Sequence, residues 1–450
     1  MDSKEPDSQD SFRATRALVT RGAASALIVR IAAAAATLVM NIVLARLLGT
    51  SEYGIVSLGL SWLTIAGVFS CFGTDSVALR FVAEGLKTNH RDQVGHVIGW
   101  GRRLSTLAGI AAALASIGLI ELVFHDFTLN ERFALWLIVS ATPLLALSLN
   151  NAGVLRAAKR IALGVSIEML MRPIGILGFV LVLVAVYGSS IPLIGVAVGV
   201  LIAQAFPAFF GIGKARGLIV QRNGKIPPGE ARRWTRVAGP IALMNVMGIL
   251  MANLDVIMVG YFVSAASAGI YRASAQFAGL VAFGLAASNA IVAPLIAELF
   301  SSGQRNELRA VLRYSVAMVT VGSIAAVLFM GIFGSSLLGI FGYEFRGGYQ
   351  ALLILLVGQT MNALCGPTGF LMTMTGHEYE AMRIFVVATV VNILLNLALV
   401  PTLGLVGGAI ANAVGISMWN LMILVFLRGR LRIDPSILSW SPMRLRRDGN

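Results

Sequence analysis

The sequence predicts an all-α polytopic membrane protein of about twelve transmembrane helices arranged as two six-helix repeats. Three observations carry that expectation: a charge-poor composition, a series of apolar runs of bilayer-spanning length, and an internal repeat. Of 450 residues, 57% are hydrophobic and 12% charged, and the mean hydropathy is +0.83. A water-exposed domain carries about 25% charged residues, so a chain at half that level keeps most of its surface in lipid. The 48 glycines agree, since Gly is more frequent in membrane helices than in soluble ones.

Residues 1–20 are polar and mixed in charge and read as a disordered tail. Twelve apolar runs follow, each near the roughly 20 residues that a crossing needs. They lie at 24–48, 53–84, 104–124, 133–155, 166–187, 190–212, 237–263, 269–298, 311–333, 350–374, 383–401 and 405–427. The expected organisation is a tail (1–20), an N-terminal six-helix lobe (21–213), a basic linker (214–236), a C-terminal lobe (237–427) and a basic tail (428–450). The linker contains Pro227, Pro228 and Gly229. The first apolar run is long enough to span and follows a polar segment, so no cleavable signal peptide is expected.

Charge in the connecting segments gives the orientation. Counting alternate segments, thirty Lys and Arg fall on one side, among them Arg156, Lys159, Arg160 and Arg172. Four, Arg46, Arg132, Arg272 and Arg346, fall on the other, and Arg30 is left inside the first helix. Basic segments stay cytoplasmic, so both termini are expected in the cytoplasm, which requires an even number of crossings.

The repeat is visible in three matched segments. LGTSEYGIV (48–56) aligns with VSAASAGIY (263–271), VAEGLKTNHRDQV (82–94) with IAELFSSGQRNEL (296–308), and LIGVAVG (193–199) with LVGGAIA (405–411). The offsets stay between 212 and 215 residues. Because the repeated unit has an even number of helices, the halves share one orientation and are related by an axis along the membrane normal.

Several function classes are disfavoured. The net charge of +14 sits in short segments between apolar runs with little aromatic interleaving, a pattern for lipid head groups rather than nucleic acid. Cys71 and Cys365 lie in apolar runs, and His90, His96, His125 and His377 show no metal-ligand spacing, so no metal or other cofactor is expected. No GxxxxGK[ST] loop is present, and no loop on the less basic side is long enough for a catalytic domain, so a membrane glycosyltransferase or polymerase is a distant reading.

LARLLGTSEYGIVSLG (44–59), DVIMVGYFVSAASAGIYRASA (255–275), LLGIFGYEFRGGYQALLIL (337–355), FLMTMTGH (370–377) and NILLNLALVPTLGLVGGAIA (392–411) resemble the polysaccharide-biosynthesis and oligosaccharide-flippase family. That family lies within the multidrug/oligosaccharidyl-lipid/polysaccharide exporter superfamily, and the resemblance covers essentially the whole chain beyond the tail. It implies two lobes around a central cavity open alternately to each side of the cytoplasmic membrane. The implied cargo is a glycan on a polyprenyl diphosphate, flipped outward, with polymerase and glycosyltransferases as pathway partners. The superfamily also holds drug exporters, so a cation-coupled exporter of small amphipathic compounds is the second reading.

Within the helices, a short set of polar residues could carry transport. Arg30 shares a helical stripe with Thr37 and Asn41, and the repeat places Asn245 opposite it. A guanidinium at that depth either faces a wet cavity, where its planar fork suits a diphosphate, or pairs with an acid such as Asp75. Arg272 either contacts cargo or snorkels to the interface, and Arg46 reads as an interface anchor. Asp255 and Asp75 are the candidates for ion coupling, since an intramembrane carboxylate is readily neutralised. Gln359, Asn362 and Thr373, then Thr389, Asn392 and Asn396, either bind sugar hydroxyls or bond helix to helix. Gly195 and Gly199 form a GxxxG that permits close packing.

Overall fold

The computed structural model describes residues 8–88, 90–218 and 229–440. Its first apolar helical stretch, Ser25–Cys71, is 47 residues long. At 1.5 Å per residue that is about 70 Å, more than twice a hydrocarbon core of about 30 Å. It divides at Gly49, whose φ of 72° lies in the left-handed region that glycine enters without a Cβ clash. The division gives α1 (25–48) and α2 (50–71), so among the described residues the eleven long apolar helices make twelve crossings.

Beyond left-handed Phe72 and Gly73, α2 continues through Thr74–Val77, a π-helical turn at Ala78–Val82, and Ala83–Lys87. The N-terminal lobe is completed by α3 (Arg91–Val123), α4 (Leu129–Ala157), α5 (Ile161–Tyr187) and α6 (Leu193–Ala215). The C-terminal lobe contains α7 (Glu230–Phe262), α8 (Ala265–Ser301), α9 (Arg305–Gly339), α10 (Tyr349–Cys365, resumed at Thr368–Met374), α11 (Glu378–Leu403) and α12 (Leu405–Phe426). A capping box between Thr128 and Glu131 starts α4, and Ser264 accepts a hydrogen bond from the Ser267 N–H at the start of α8. The GxxxG of α6 works as a contact: Gly195 meets Leu183 and Gly199 meets Phe179, both on α5. Leu114, Leu181, Ile332 and Val425 are each at least 65% exposed, as side chains facing acyl chains must be.

Two segments are more ordered than their polarity suggested. Helix is continuous into α1 from Ser8, so the expected tail over 1–20 is helical from residue 8, and residues 1–7 lie outside the described residues. Once a helix is nucleated by an apolar span, each further Ala, Arg or Leu adds a hydrogen bond at little cost. Of the expected linker (214–236), residues 219–228 lie outside the described residues, and α7 is already helical from Glu230. Its first turns dock on the N-terminal lobe: Trp234 is fully buried beside Phe81, Val77 and Ile98, with its ring 5.3 Å from that of Trp100. The Arg233 guanidinium lies 5.0 Å from the centre of the Phe81 ring. Residues 428–440 fold back beneath the C-terminal lobe, where Arg428 pairs with Asp434 at 2.9 Å and Ile433 is buried; 441–450 lie outside the described residues.

The lobes meet unequally at the two ends of the bundle. The end where α1 begins and α12 finishes, termed the basic end, is open between them. The far end is sealed. There Tyr53 is fully buried against Phe341 and Phe345, with ring centres 6.3 and 5.7 Å away. The Thr50 hydroxyl donates to Glu344 at 2.9 Å. Arg46 departs from the expected interface anchor: its Nε donates to the Ile340 carbonyl at 2.7 Å and its Nη2 to Gly339 at 3.4 Å. It caps the C-terminus of α9 in the opposite lobe, where unpaired carbonyls attract a cation.

Candidate functional site

The opening between the lobes is a cavity of about 710 Å³. On the N-terminal side it is lined by the broken part of α2 (Cys71, Gly73, Asp75, Ser76, Leu79), by Arg156 of α4 and by Glu168 of α5. Opposite stand Asn245 and Gly248 of α7, Asn289 of α8, Asn362, Thr368 and Thr373 of α10, and the stacked pair Phe385 and Trp419, whose ring centres are 4.9 Å apart. The C-terminal wall is shaped by the interruption of α10 at Gly366–Pro367, where Gly366 has φ +76° and sits against the Pro435 carbonyl. Thr368 donates to Asn420, which donates to Asn362, at 3.0 and 3.1 Å, so the interruption is held by a buried amide chain. Non-helical backbone at membrane depth is tolerated where it lines a wet cavity.

A second cavity, about 340 Å³, lies within the C-terminal lobe and shares Gly248, Asn362, Phe385 and Trp419 with the first. Asp255 is on its wall and only 1% exposed. Its carboxylate accepts hydrogen bonds from Asn412 Nδ2 at 2.6 Å, Asn396 Nδ2 at 2.7 Å and the Tyr271 hydroxyl at 3.2 Å. Among the described residues no cation pairs with it. The Oδ1 atoms of Asn392 and Asn396 and Oε1 of Gln359 are buried without a hydrogen-bond partner. Orphan acceptors in a native interior call for an explanation.

The remaining candidates fall elsewhere. Asn41 joins the lobes by donating to Gln276 at 3.2 Å, and the Thr37 hydroxyl returns to its own helix at the Ala33 carbonyl. Thr389 likewise bonds within α11 and to the Met247 carbonyl. Arg30 is half-buried on the same face of α1, has no ion-pair partner among the described residues, and lines neither cavity. The pairing of Arg30 with Asp75 is not formed: Asp75 binds Arg156 at 3.5 Å, because the break at 72–73 turns it toward α4. Arg272 is half-buried on α8.

Arg172 needs a correction. Counted above with the basic segments, it stands inside α5, eleven residues beyond Ile161. Its side chain is half-buried and lies within electrostatic reach of Arg272 from the other lobe. Its place six residues into the apolar run 166–187 was the available signal, masked by the adjacent Pro173. Arg156, Glu168, Tyr271 and Asn412 were also missed, because their meaning comes from partners far away in the chain.

Residues 19–300 match the family model described as polysaccharide biosynthesis protein. The chain belongs to that polysaccharide biosynthesis family. A relative from Haloferax volcanii, described as the probable low-salt glycan biosynthesis flippase Agl15, is 22% identical over 83% of this chain and 76% of its own. A second from the same organism, described as the probable flippase AglR, is 25% identical over 40% of this chain and 38% of its own. Among solved structures, an inward-facing multidrug resistance MATE family transporter of the MOP superfamily superposes with a TM-score of 0.73, at 16% identity, over 92% of this chain and 99% of its own. An outward-facing structure of such a transporter, also 16% identical and covering 92% and 95%, reaches 0.62. This member of the polysaccharide biosynthesis family therefore has the twelve-helix, two-lobe fold of those transporters.

Proposed function

We propose that this protein is a flippase that moves a polyprenyl-diphosphate-linked oligosaccharide from the cytoplasmic to the outer leaflet of the cytoplasmic membrane by alternating access. The observation that carries the proposal is the cavity between the lobes, open at the basic end and sealed at the other, in a chain of this family. With Arg172 and Arg272 set aside as interior, the twenty-nine-to-three distribution of basic residues supports both termini and the open end facing the cytoplasm. The role is that of a transporter rather than an enzyme, working beside the polymerase and glycosyltransferases of a glycan pathway.

In this reading the cargo's diphosphate is gripped by guanidinium groups between the lobes, whose planar forks match phosphate oxygens. Arg272 and Arg172, from opposite lobes and without acidic partners among the described residues, suit that role, and Arg30 on the basic-end half of α1 suits capture as the headgroup enters. Asn245, Gln359 and Asn362 offer amides to sugar hydroxyls from the cavity walls. Asp255 serves ion coupling. The orphan oxygens of Asn392 and Asn396 beside its carboxylate support a site for a proton or a small cation rather than a packing role alone.

The direct test is reconstitution in proteoliposomes with a lipid-linked oligosaccharide in one leaflet, followed by enzymatic accessibility of the glycan from the other. Flipping that depends on the protein supports the reading; its absence, together with protein-dependent efflux of a cationic dye, supports the second reading, a cation-coupled exporter of small amphipathic compounds. In cells, Arg30→Ala at normal protein level is expected to abolish surface glycan, and unchanged glycan removes Arg30 from the mechanism.

A further inference from the structure

The large cavity is electrically one-sided. Its described lining holds three charged side chains, Asp75, Arg156 and Glu168, all from the N-terminal lobe, while the facing wall offers amides, hydroxyls and aromatic rings. Arg156 Nη2 is 3.5 Å from Asp75 Oδ2 and its Nη1 is 3.1 Å from Glu168 Oε2. Two carboxylates thus share one guanidinium, and the group carries one surplus negative charge. Their side chains are 20–27% exposed, and that exposure is to the cavity.

Among the described residues, no further ion pair supplies the missing positive charge. On α2, Cys71 Sγ is 3.8 Å from Asp75 Oδ1. On α3, Arg102 is turned to Asn151, with Nε 3.0 Å from Oδ1. On α1, Arg30 makes no ion pair among the described residues. On α6, the Lys214 ammonium sits over the Phe210 ring. The approach of α7 is through Ala238 and Ala242 against Gly73. Both carboxylates stand beside irregular backbone: Asp75 follows the break at Phe72–Gly73, and Glu168 lies within the π-helical turn Ser166–Leu170. Such turns recur at functional sites.

We infer that Asp75, Arg156 and Glu168 form a proton-binding site that is loaded as the basic end of the cavity closes. The inference rests on the alternating-access reading and is separate from the role given to Asp255. While the cavity is open, its water solvates the surplus charge. Closure against an uncharged wall removes that water, and an uncompensated ion in a dry interface is strongly disfavoured. One proton, taken from cavity water by either carboxylate, leaves guanidinium, carboxylate and carboxylic acid with no net charge. Closure therefore favours proton uptake, and by linkage protonation favours closure to the same degree. Reopening returns the proton to water.

The test is the distance between spin labels at Lys87→Cys and Gln304→Cys, two exposed positions on opposite lobes at the basic end, in the full-length protein in lipid nanodiscs without cargo. Lowering the pH from about 8 to 5 is expected to raise the ratio of closed to open at least tenfold. Glu168→Gln and Asp75→Asn, each near-isosteric and each leaving Arg156 one carboxylate, are expected to favour the closed distance at both pH values. Glu168→Asp, which keeps a carboxylate beside Arg156, should keep the response. The proposal is overturned if the wild-type distribution ignores pH, or if Glu168→Gln and Asp75→Asn respond like wild type. It is equally overturned if the response is lost in Asp255→Asn and kept in Glu168→Gln. Because no cargo is present, failure of the oligosaccharide reading leaves the outcome interpretable.

Discussion

Gly54 presses its bare Cα against the carbonyl of Ala265, and Gly269 does the same against the carbonyl of Thr50. The residues 50 and 265, and 54 and 269, are each separated by 215 positions. The contact is therefore its own mate under the axis relating the two halves, as in the isologous interface of a symmetric dimer. It explains why LGTSEYGIV and VSAASAGIY match: both serve one interlocked junction that seals the far end.

A methyl group at either glycine would overlap backbone rather than a yielding side chain. Gly54→Ala and Gly269→Ala are thus expected to weaken the seal by about 1–3 kcal/mol, the range for overpacking a tight contact. Spin labels at Glu52 and Tyr343 should report a longer mean distance in either variant at an unchanged expression level. Distances like those of wild type would show that the junction yields more easily than its geometry implies.

Arg46 holds the same end by polar contacts. Arg46→Ala removes two charge-assisted hydrogen bonds to the α9 carbonyls, and the loss is expected to be about 1 kcal/mol because the pair is exposed. Far-end opening should become several-fold more frequent. Thiols placed at Thr50 and Glu344 and joined by a short cross-linker should stop flipping until the link is cleaved. Undiminished flipping with the link in place would exclude opening at that junction.

For Asp255, removing single donors separates coupling from packing. Asn412→Ala or Asn396→Ala deprives a buried carboxylate of a hydrogen bond worth about 1.5–3 kcal/mol, so stability should fall. Asp255→Asn retains the shape and should preserve the fold while removing the dependence of transport on the ion gradient. Flipping assays at matched expression, with and without a gradient, distinguish the cases; an Asp255→Asn protein with the full dependence ends the coupling role.

Arg172 and Arg272 make a prediction through non-additivity. If both hold one diphosphate, Arg172→Ala and Arg272→Ala should each reduce flipping at least tenfold, and the double variant should lose little more than the worse single one. Lysine at either position should restore only part of the activity, since it lacks the planar fork. Simple multiplication of the two losses would place the arginines in separate roles.

Much of the architecture was legible because it follows from local signals. Span lengths, charge alternation and the repeated motif gave twelve crossings in two lobes, and the gap between the runs 24–48 and 53–84 is where the helix divides at Gly49. The sites were harder. Asp75 and Arg156 are 81 positions apart, and nothing near either residue announces the other. Asp255 was visible as a lone intramembrane acid, yet three of its donors come from α8, α11 and α12. Arg172 was hidden by its nearness to a basic segment, where one residue's depth decides whether it reads as loop or interior.

The docking of Trp234 has a consequence for how the protein is made. The face formed by Val77, Phe81, Ile98 and Trp100 belongs to the first half of the chain, but the side chain that covers it belongs to the second. During synthesis the first six helices emerge with that face bare, and it stays so until α7 has been translated. The halves are therefore not two finished folding units joined by a string.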